Sequence, residues 1–212
     1  MLKHVFRCFQ KKEFFPFEDM SGVKQLILTK LQYYFLVERL NYGIEKKLED
    51  GLVITVNKEK DVSRINDFYI IPNKFKTISS VDLSGVEESE WYKSLLSKLI
   101  EKQQKIGYYF HTHPELEIHG SNYHEEASTI RDIRFFPIIE KNMKPKEKKL
   151  FQARRRLGSI IMEKFKKGKV SLFGFTPAIN AYYEGPLVHH RKVHSLEIIV
   201  PELNLKFKSY IH

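Results

Sequence analysis

Four of the nine histidines lie within fourteen residues and are the strongest candidates for chemistry: His111, His113, His119 and His124. The first two stand near the end of residues 106–114, IGYYFHTHP, an apolar run that predicts a buried strand. Because residues i and i+2 of a strand point to the same face, His111 and His113 can share one ligand. Imidazole nitrogens are common zinc ligands. The pattern therefore predicts a metal site at the end of this strand.

The residues after this pair extend the motif. Pro114 follows His113 directly, six residues separate it from Ser121, and two more residues lead to His124. Ser121 is a good N-cap, and we expect a helix to begin there. The string resembles the signature of the JAMM (JAB/MPN) metalloproteases, which is H-x-H-P, six or seven residues, then S-x-x-D. This resemblance implies a zinc-dependent peptidase or isopeptidase that hydrolyses an amide bond, with a protein substrate that is ubiquitin-like in many members.

The resemblance also implies roles for individual residues. His111, His113 and His124 would hold Zn²⁺, and Ser121 would donate a hydrogen bond to the oxyanion of the tetrahedral intermediate. The family carries a general-base glutamate on an earlier strand, and Glu45 is the corresponding candidate because Gly-Ile-Glu at residues 43–45 follows a long helical pattern. Two other glutamates are fallback candidates for the base: Glu38 and Glu49.

The third ligand departs from the family pattern, since the family has Asp where this chain has His124. Three histidines and a water form a known catalytic zinc arrangement, so the change is chemically tolerable. Asp132 is the alternative, at the cost of an insertion of about seven residues. Both cannot bind one ion, because eight helical residues span about 12 Å along a helix axis. We favour His124, which keeps the spacing; His119 is assigned to the intervening loop.

Hydrophobic periodicity gives the elements that would position these residues. A first helix is predicted from Ser21 to about Leu40, broken by Asn41 and Gly43. A second is predicted around Trp91 to Ile100, and others at residues 121–134 and 149–167. Strands are predicted at residues 43–48, 52–56, 68–71, 106–114, 170–175, 178–183, 196–200 and 203–210.

Together with the resemblance, these elements predict an α+β fold of α/β/α sandwich type, with a mixed central sheet flanked by helices and an architecture like that of JAMM proteins and cytidine deaminases. Residues 1–20 are expected to form an N-terminal arm. Residues 21–185 would form the catalytic domain, with a basic helical insertion at about 141–169. Residues 186–212 would form a β-rich extension packed on the same domain.

The charge distribution suggests a second kind of function. The formal net charge is +10, and residues 141–169 carry twelve Lys/Arg against two acidic residues, so the rest of the chain is balanced. A localised basic segment can bind an acidic protein or a nucleic acid, or be only a solvated helix face. A non-catalytic JAMM-like scaffold or a nucleic-acid-binding module is therefore the alternative function. The candidate partner-binding residues are Lys148, Lys149, Arg154, Arg155 and Arg156.

Composition excludes several other classes. The single cysteine, Cys8, excludes intramolecular disulfides and thiolate metal clusters. The N-terminus lacks the apolar run of a secretory signal, and no stretch approaches the roughly 18 apolar residues of a membrane span. We therefore expect a cytoplasmic protein, or one delivered from the cytoplasm without a classical signal peptide. Amidohydrolase-like barrels also use an H-x-H motif, but they need a longer chain with regular strand–helix alternation.

Overall fold

The computed structural model describes residues 14–78, 80–114, 152–153, 156–164, 168–183 and 190–208. The described residues contain three α-helices and eight strands. The helices are Lys30–Lys46 (α1), Leu83–Glu88 (α2) and Glu90–Lys102 (α3). The strands are Gln25–Ile27 (β1), Gly51–Glu59 (β2), Val62–Ile70 (β3), Lys105–His113 (β4), Gly158–Lys164 (β5), Val170–Tyr183 (β6), His190–Val200 (β7) and Leu205–Lys208 (β8).

Seven of these strands close into a mixed β-barrel. Hydrogen-bonded neighbours follow the order β1-β3-β2-β4-β5-β6-β7, and β1 also pairs with β7, which completes the ring. β1 is parallel to both of its neighbours, β4 and β5 are parallel, and the remaining pairs are antiparallel. β8 pairs with the end of β7. The predicted α/β/α sandwich is wrong, because β1 joins β3 to β7 and leaves no open sheet between two helical layers.

One hydrophobic cluster fills the barrel. All seven ring strands contribute to it, and Leu36 and Leu40 of α1 pack into the same cluster. The hydroxyl groups of Tyr108 and Ser63, 2.6 Å apart, form a buried hydrogen bond. Burying two hydroxyl groups is costly unless they are paired, and this bond pairs them. The strand residues that contribute include Leu26, Leu52, Ile54, Ile65, Tyr108, Phe110, Ile160, Met162, Leu172, Leu196 and Ile198.

A second cluster covers the outside of β2 and β4. Val53, between two inward-facing residues of β2, packs with Tyr92, Leu95 and Leu99 of α3. A strand buried on both faces reads as a continuous apolar run, and residues 52–56 and 106–110 have that character. The predicted strands at residues 52–56 and 106–114 and the helix around Trp91 to Ile100 are confirmed by β2, β4 and α3.

The first predicted helix is wrong at both ends. α1 begins after Thr29, whose hydroxyl accepts a hydrogen bond from Gln32 N while the Gln32 side chain accepts one from Thr29 N. The helix then continues past Asn41 and Gly43 to Lys46, so residues 43–46 are not the start of a strand. Gly43 is required in the helix because a Cβ there would lie 2.7 Å from Leu48 O. Helix and following loop are packed too closely for a side chain.

The predicted helix over residues 149–167 is wrong where β5 forms. Gln152 and Ala153 are helical, but Gly158–Lys164 is a strand between β4 and β6. Its side chains alternate between the two faces of the sheet. Ile160 and Met162 lie inside the barrel, and Ile161 lies in a small outer cluster. Part of the basic segment is therefore a wall of the barrel. The two strands predicted at residues 170–175 and 178–183 form one strand, β6.

Across the described residues, no helix combines the length and the apolar character that crossing a membrane requires.

The packing of α1 into the barrel can be tested with two leucines of the same helix. Leu40 is fully buried in the barrel cluster, whereas Leu31 is 79% exposed. We expect Leu40→Ala to lower the free energy of unfolding by about 2–5 kcal/mol, because it removes buried methyl groups and leaves a cavity. Leu31→Ala, the matched control, should change it by less than about 0.5 kcal/mol. Urea denaturation measures both, and equal effects would contradict this packing.

Candidate metal centre

The last residues of β4 carry the two histidines on the outer face of the barrel. Phe110 points into the barrel cluster, so His111 and His113, on either side of Thr112, point outward. The two Nε2 atoms lie 3.2 Å apart. His113 is 8% exposed, and His111 is partly exposed. The structure thus brings both predicted ligands to one point.

Glu49 is the carboxylate that faces this pair. It precedes β2, whose Gly51 is the register partner of His111. Asp50 and Thr112 are joined by two hydrogen bonds, from Thr112 N to Asp50 O and from Asp50 N to Thr112 Oγ1, both 2.9 Å long. This arrangement brings Glu49 opposite His113, with its Oε1 4.0 Å from His113 Nε2.

Glu49, His111 and His113 form a group that can hold a metal ion. Their ligand atoms all lie within 4.8 Å of one another. Two nitrogen ligands bound tetrahedrally at zinc distances are separated by roughly 3.3 Å, close to the separation of the two Nε2 atoms. Two imidazoles and a carboxylate are a donor set that suits several divalent metals. The geometry therefore fits a metal ion without selecting one.

Glu163 contacts the other side of His113. It lies on β5 as the direct register partner of His113 on the parallel neighbour β4. Its Oε1 is 2.7 Å from His113 Nδ1, and Glu163 is only 2% exposed. Sequence reasoning missed this residue because the surrounding basic segment reads as helical. The continuous apolar run before it, from Ile160 to Met162, was the available signal.

A buried ion cluster lies directly behind the candidate metal centre. Asp50 is fully buried, and Arg39 of α1 and Lys76 each donate a hydrogen bond to its carboxylate. The Lys76 ammonium also donates to Asn73 Oδ1 at 3.2 Å, and Gly51 N donates to Asp50 Oδ1 at 2.9 Å. A buried carboxylate is stable only when it is paired and hydrogen-bonded, and these contacts satisfy that requirement.

Glu45 lies elsewhere. It is in the last turn of α1, exposed, and ion-paired with Lys46 at 2.7 Å. The hydrogen bond and the charge of Lys46 lower the pKa of the Glu45 carboxyl group, which makes it a weaker base. The structure does not include Glu45 in the histidine group, and Glu38 is an exposed residue of α1. Glu49, the other fallback candidate, is the one of the three glutamates that lies in the histidine group. Its place directly before the apolar run of β2 was the sequence signal.

Several candidate residues lie outside the described residues. These are Ser121, His124, Asp132 and His119 from the motif, and Lys148, Lys149, Arg154 and Arg155 from the basic segment. Arg156 is described. Its guanidinium lies 3.5 Å from the Asp19 carboxylate, and both side chains are about half exposed.

Comparisons with known proteins give no family for this chain. No family model matches, and no curated protein matches. A solution structure of protein DSY2949 from Desulfitobacterium hafniense resembles the chain with a TM-score of 0.48 and 14% identity, covering 82% of this chain and 92% of that one. A match at this level supports no inference about function.

The buried ion cluster can be tested through stability. Asp50→Asn preserves the shape of the side chain but removes the negative charge that faces Arg39 and Lys76. We expect it to lower the free energy of unfolding by about 3–5 kcal/mol, as breaking a buried ion pair does. Glu45→Gln removes a carboxylate from an exposed pair and is the control, with unfolding nearly unchanged. Urea titrations compare the variants, and an Asp50→Asn variant as stable as the wild type would contradict the pairing.

Proposed function

We propose that the chain is a zinc-dependent hydrolase that cleaves an amide bond by JAMM-type chemistry. The observation that carries this proposal is the convergence of the two Nε2 atoms, 3.2 Å apart, with the Glu49 carboxylate at the same point. The spacing between H-x-H-P and Ser121, which resembles the JAMM motif, also supports the proposal. A barrel can carry this chemistry because a site is defined by its residues and not by the fold around it.

His111 and His113 would hold the ion, and a third ligand would come from His124 or Asp132. A zinc ion bound here would polarise a substrate carbonyl and lower the pKa of water. The protein's own contribution is to fix both imidazoles at the end of one rigid strand, β4, so that their nitrogens converge without a change in the backbone. Such preorganisation keeps the ligand geometry precise.

Glu49 is proposed to be the general base. It would accept a proton from the attacking water and pass it to the leaving amine. Glu49 Oε1 is 4.0 Å from His113 Nε2, so the carboxylate lies close enough to the two imidazoles to reach a water bound at the same point.

Besides the third ligand, two further parts of the proposal rest on the motif alone. Ser121 is assigned to donate a hydrogen bond to the oxyanion that forms at the scissile carbonyl. The substrate class is a protein, with a ubiquitin-like partner as the first one to test.

The base role predicts that zinc binding and catalysis respond separately to Glu49→Gln. We expect the variant to keep near-stoichiometric zinc and to lose roughly 10²–10⁴-fold in hydrolysis rate, because the amide cannot accept the proton. Metal analysis and cleavage of isopeptide-linked ubiquitin and ubiquitin-like substrates measure the two properties. Glu45→Gln, the matched control, should change neither.

Three results would count against the proposal. A wild-type protein that binds no near-stoichiometric zinc would exclude the zinc enzyme. Cleavage that survives Glu49→Gln would exclude the base role. Loss of zinc in Glu49→Gln to the level of His113→Ala would make Glu49 a ligand instead.

The third ligand can be identified by comparing His124→Ala with Asp132→Ala. We expect His124→Ala to lose its zinc during dialysis against a chelator, because one of three protein ligands is gone. Asp132→Ala should retain zinc like the wild type. The opposite pattern would assign the ligand to Asp132 and imply an insertion before the family's aspartate position.

A further inference from the structure

We infer that Glu163 is a positioning residue, which orients His113 and fixes the ring nitrogen that carries the proton. The inference deepens the proposed function and rests on it only for the identity of the metal. In this role Glu163 does not contact the substrate but acts through His113.

The backbone register places the two side chains together. His113 and Glu163 are paired residues on adjacent parallel strands, so their side chains leave the same face of the sheet side by side. On the other side of β4, Glu49 approaches the same histidine from the start of β2. Three neighbouring chain segments thus contribute carboxylate, imidazole and carboxylate in a row.

The contact with Glu163 determines the tautomer of His113. An ionised carboxylate only accepts hydrogen bonds, so His113 Nδ1 must donate the proton across the 2.7 Å contact. In the neutral ring, Nε2 then carries the lone pair. Nε2 is the atom that faces His111 Nε2 and Glu49, where an ion would bind. Glu163 therefore presents the correct nitrogen for coordination.

Glu163 is not proposed to bind the ion itself. Its carboxylate contacts Nδ1, and the nitrogen aimed at His111 is Nε2, on the far side of a rigid ring. Hydrogen bonds of this kind, from a metal-binding histidine to a carboxylate, orient the ring and raise its basicity toward the metal.

The burial of Glu163 agrees with this role. It is 2% exposed and follows three apolar residues of β5, Ile160, Ile161 and Met162. Burying a carboxylate at such a position is costly unless charge-assisted hydrogen bonds compensate for lost hydration. A purely structural role would require only that the carboxylate be hydrogen-bonded. The positioning role also predicts that altering Glu163 changes the tautomer and the metal affinity of His113.

The experiment uses the full chain with Glu163→Gln and Glu163→Ala, and Glu197→Gln as control. Glu197 is an acidic residue of β7 paired with Lys206 and Gln25, outside the histidine group. Long-range ¹H–¹⁵N correlation spectra of the zinc-free proteins report the tautomer of His113. Competition with a chromophoric chelator gives the zinc dissociation constant.

We expect His113 to carry its proton on Nδ1 in the wild type and in Glu197→Gln. Glu163→Ala should populate the Nε2–H tautomer and bind zinc roughly 10- to 100-fold more weakly. Glu163→Gln removes the charge, but its amide oxygen can still accept a hydrogen bond from Nδ1, so its tautomer should shift less while its zinc affinity falls in the same direction. If Glu163→Ala does not fold, Glu163→Gln preserves the side-chain shape, and the fall in its zinc affinity tests the role.

Two results would overturn the inference: an Nε2–H tautomer of His113 in the zinc-free wild type, or wild-type zinc affinity in both Glu163 variants. Failure of the proposed function is distinguishable from these. A wild-type chain that binds no zinc excludes the zinc enzyme, while the tautomer of His113 still decides the role of Glu163.

Discussion

The buried carboxylate of Asp50 is the interaction on which the arrangement of the site depends. Its two oxygens bind the side chains of Arg39 from α1 and Lys76 from the segment after β3, and its backbone is bonded twice to Thr112 of β4. A buried charge cannot be left partly paired without a large cost in free energy, so losing either partner of Asp50 would destabilise this part of the structure. Glu49 directly precedes Asp50 in the chain, and the two histidines flank Thr112, so these contacts hold both parts of the candidate metal centre.

The site is a product of strand register. His111 and His113 are two residues apart on β4, but both carboxylates that approach His113 come from other chain segments. Glu49 is brought there by the pairing of β2 with β4, and Glu163 by the parallel pairing of β4 with β5. A shift of one residue in either pairing would send the carboxylate to the opposite face of the sheet. Closure of the barrel holds both registers, because each strand of the ring has a neighbour on both edges.

The motif and the fold give different kinds of information about this protein. The H-x-H-P string suggested both a metal centre and a sandwich architecture, yet the strands close into a barrel. Chemistry depends on a few side chains at correct distances, and several architectures can provide those distances. The chemistry proposed for this protein therefore depends on the geometry of Glu49, His111 and His113 and not on the barrel around them.

What the sequence determined by itself is local. The alternation of a strand puts His111 and His113 on one face, and the apolar runs identify β2, β4 and α3, because these patterns depend on neighbours in the chain. The tertiary structure decided the rest. β1 is only three residues long and gives too little periodicity to identify it, although its two pairings close the barrel. The choice of Glu49 over Glu45 and the contact of Glu163 with a histidine fifty residues earlier depend on pairings between distant strands, which no local pattern encodes.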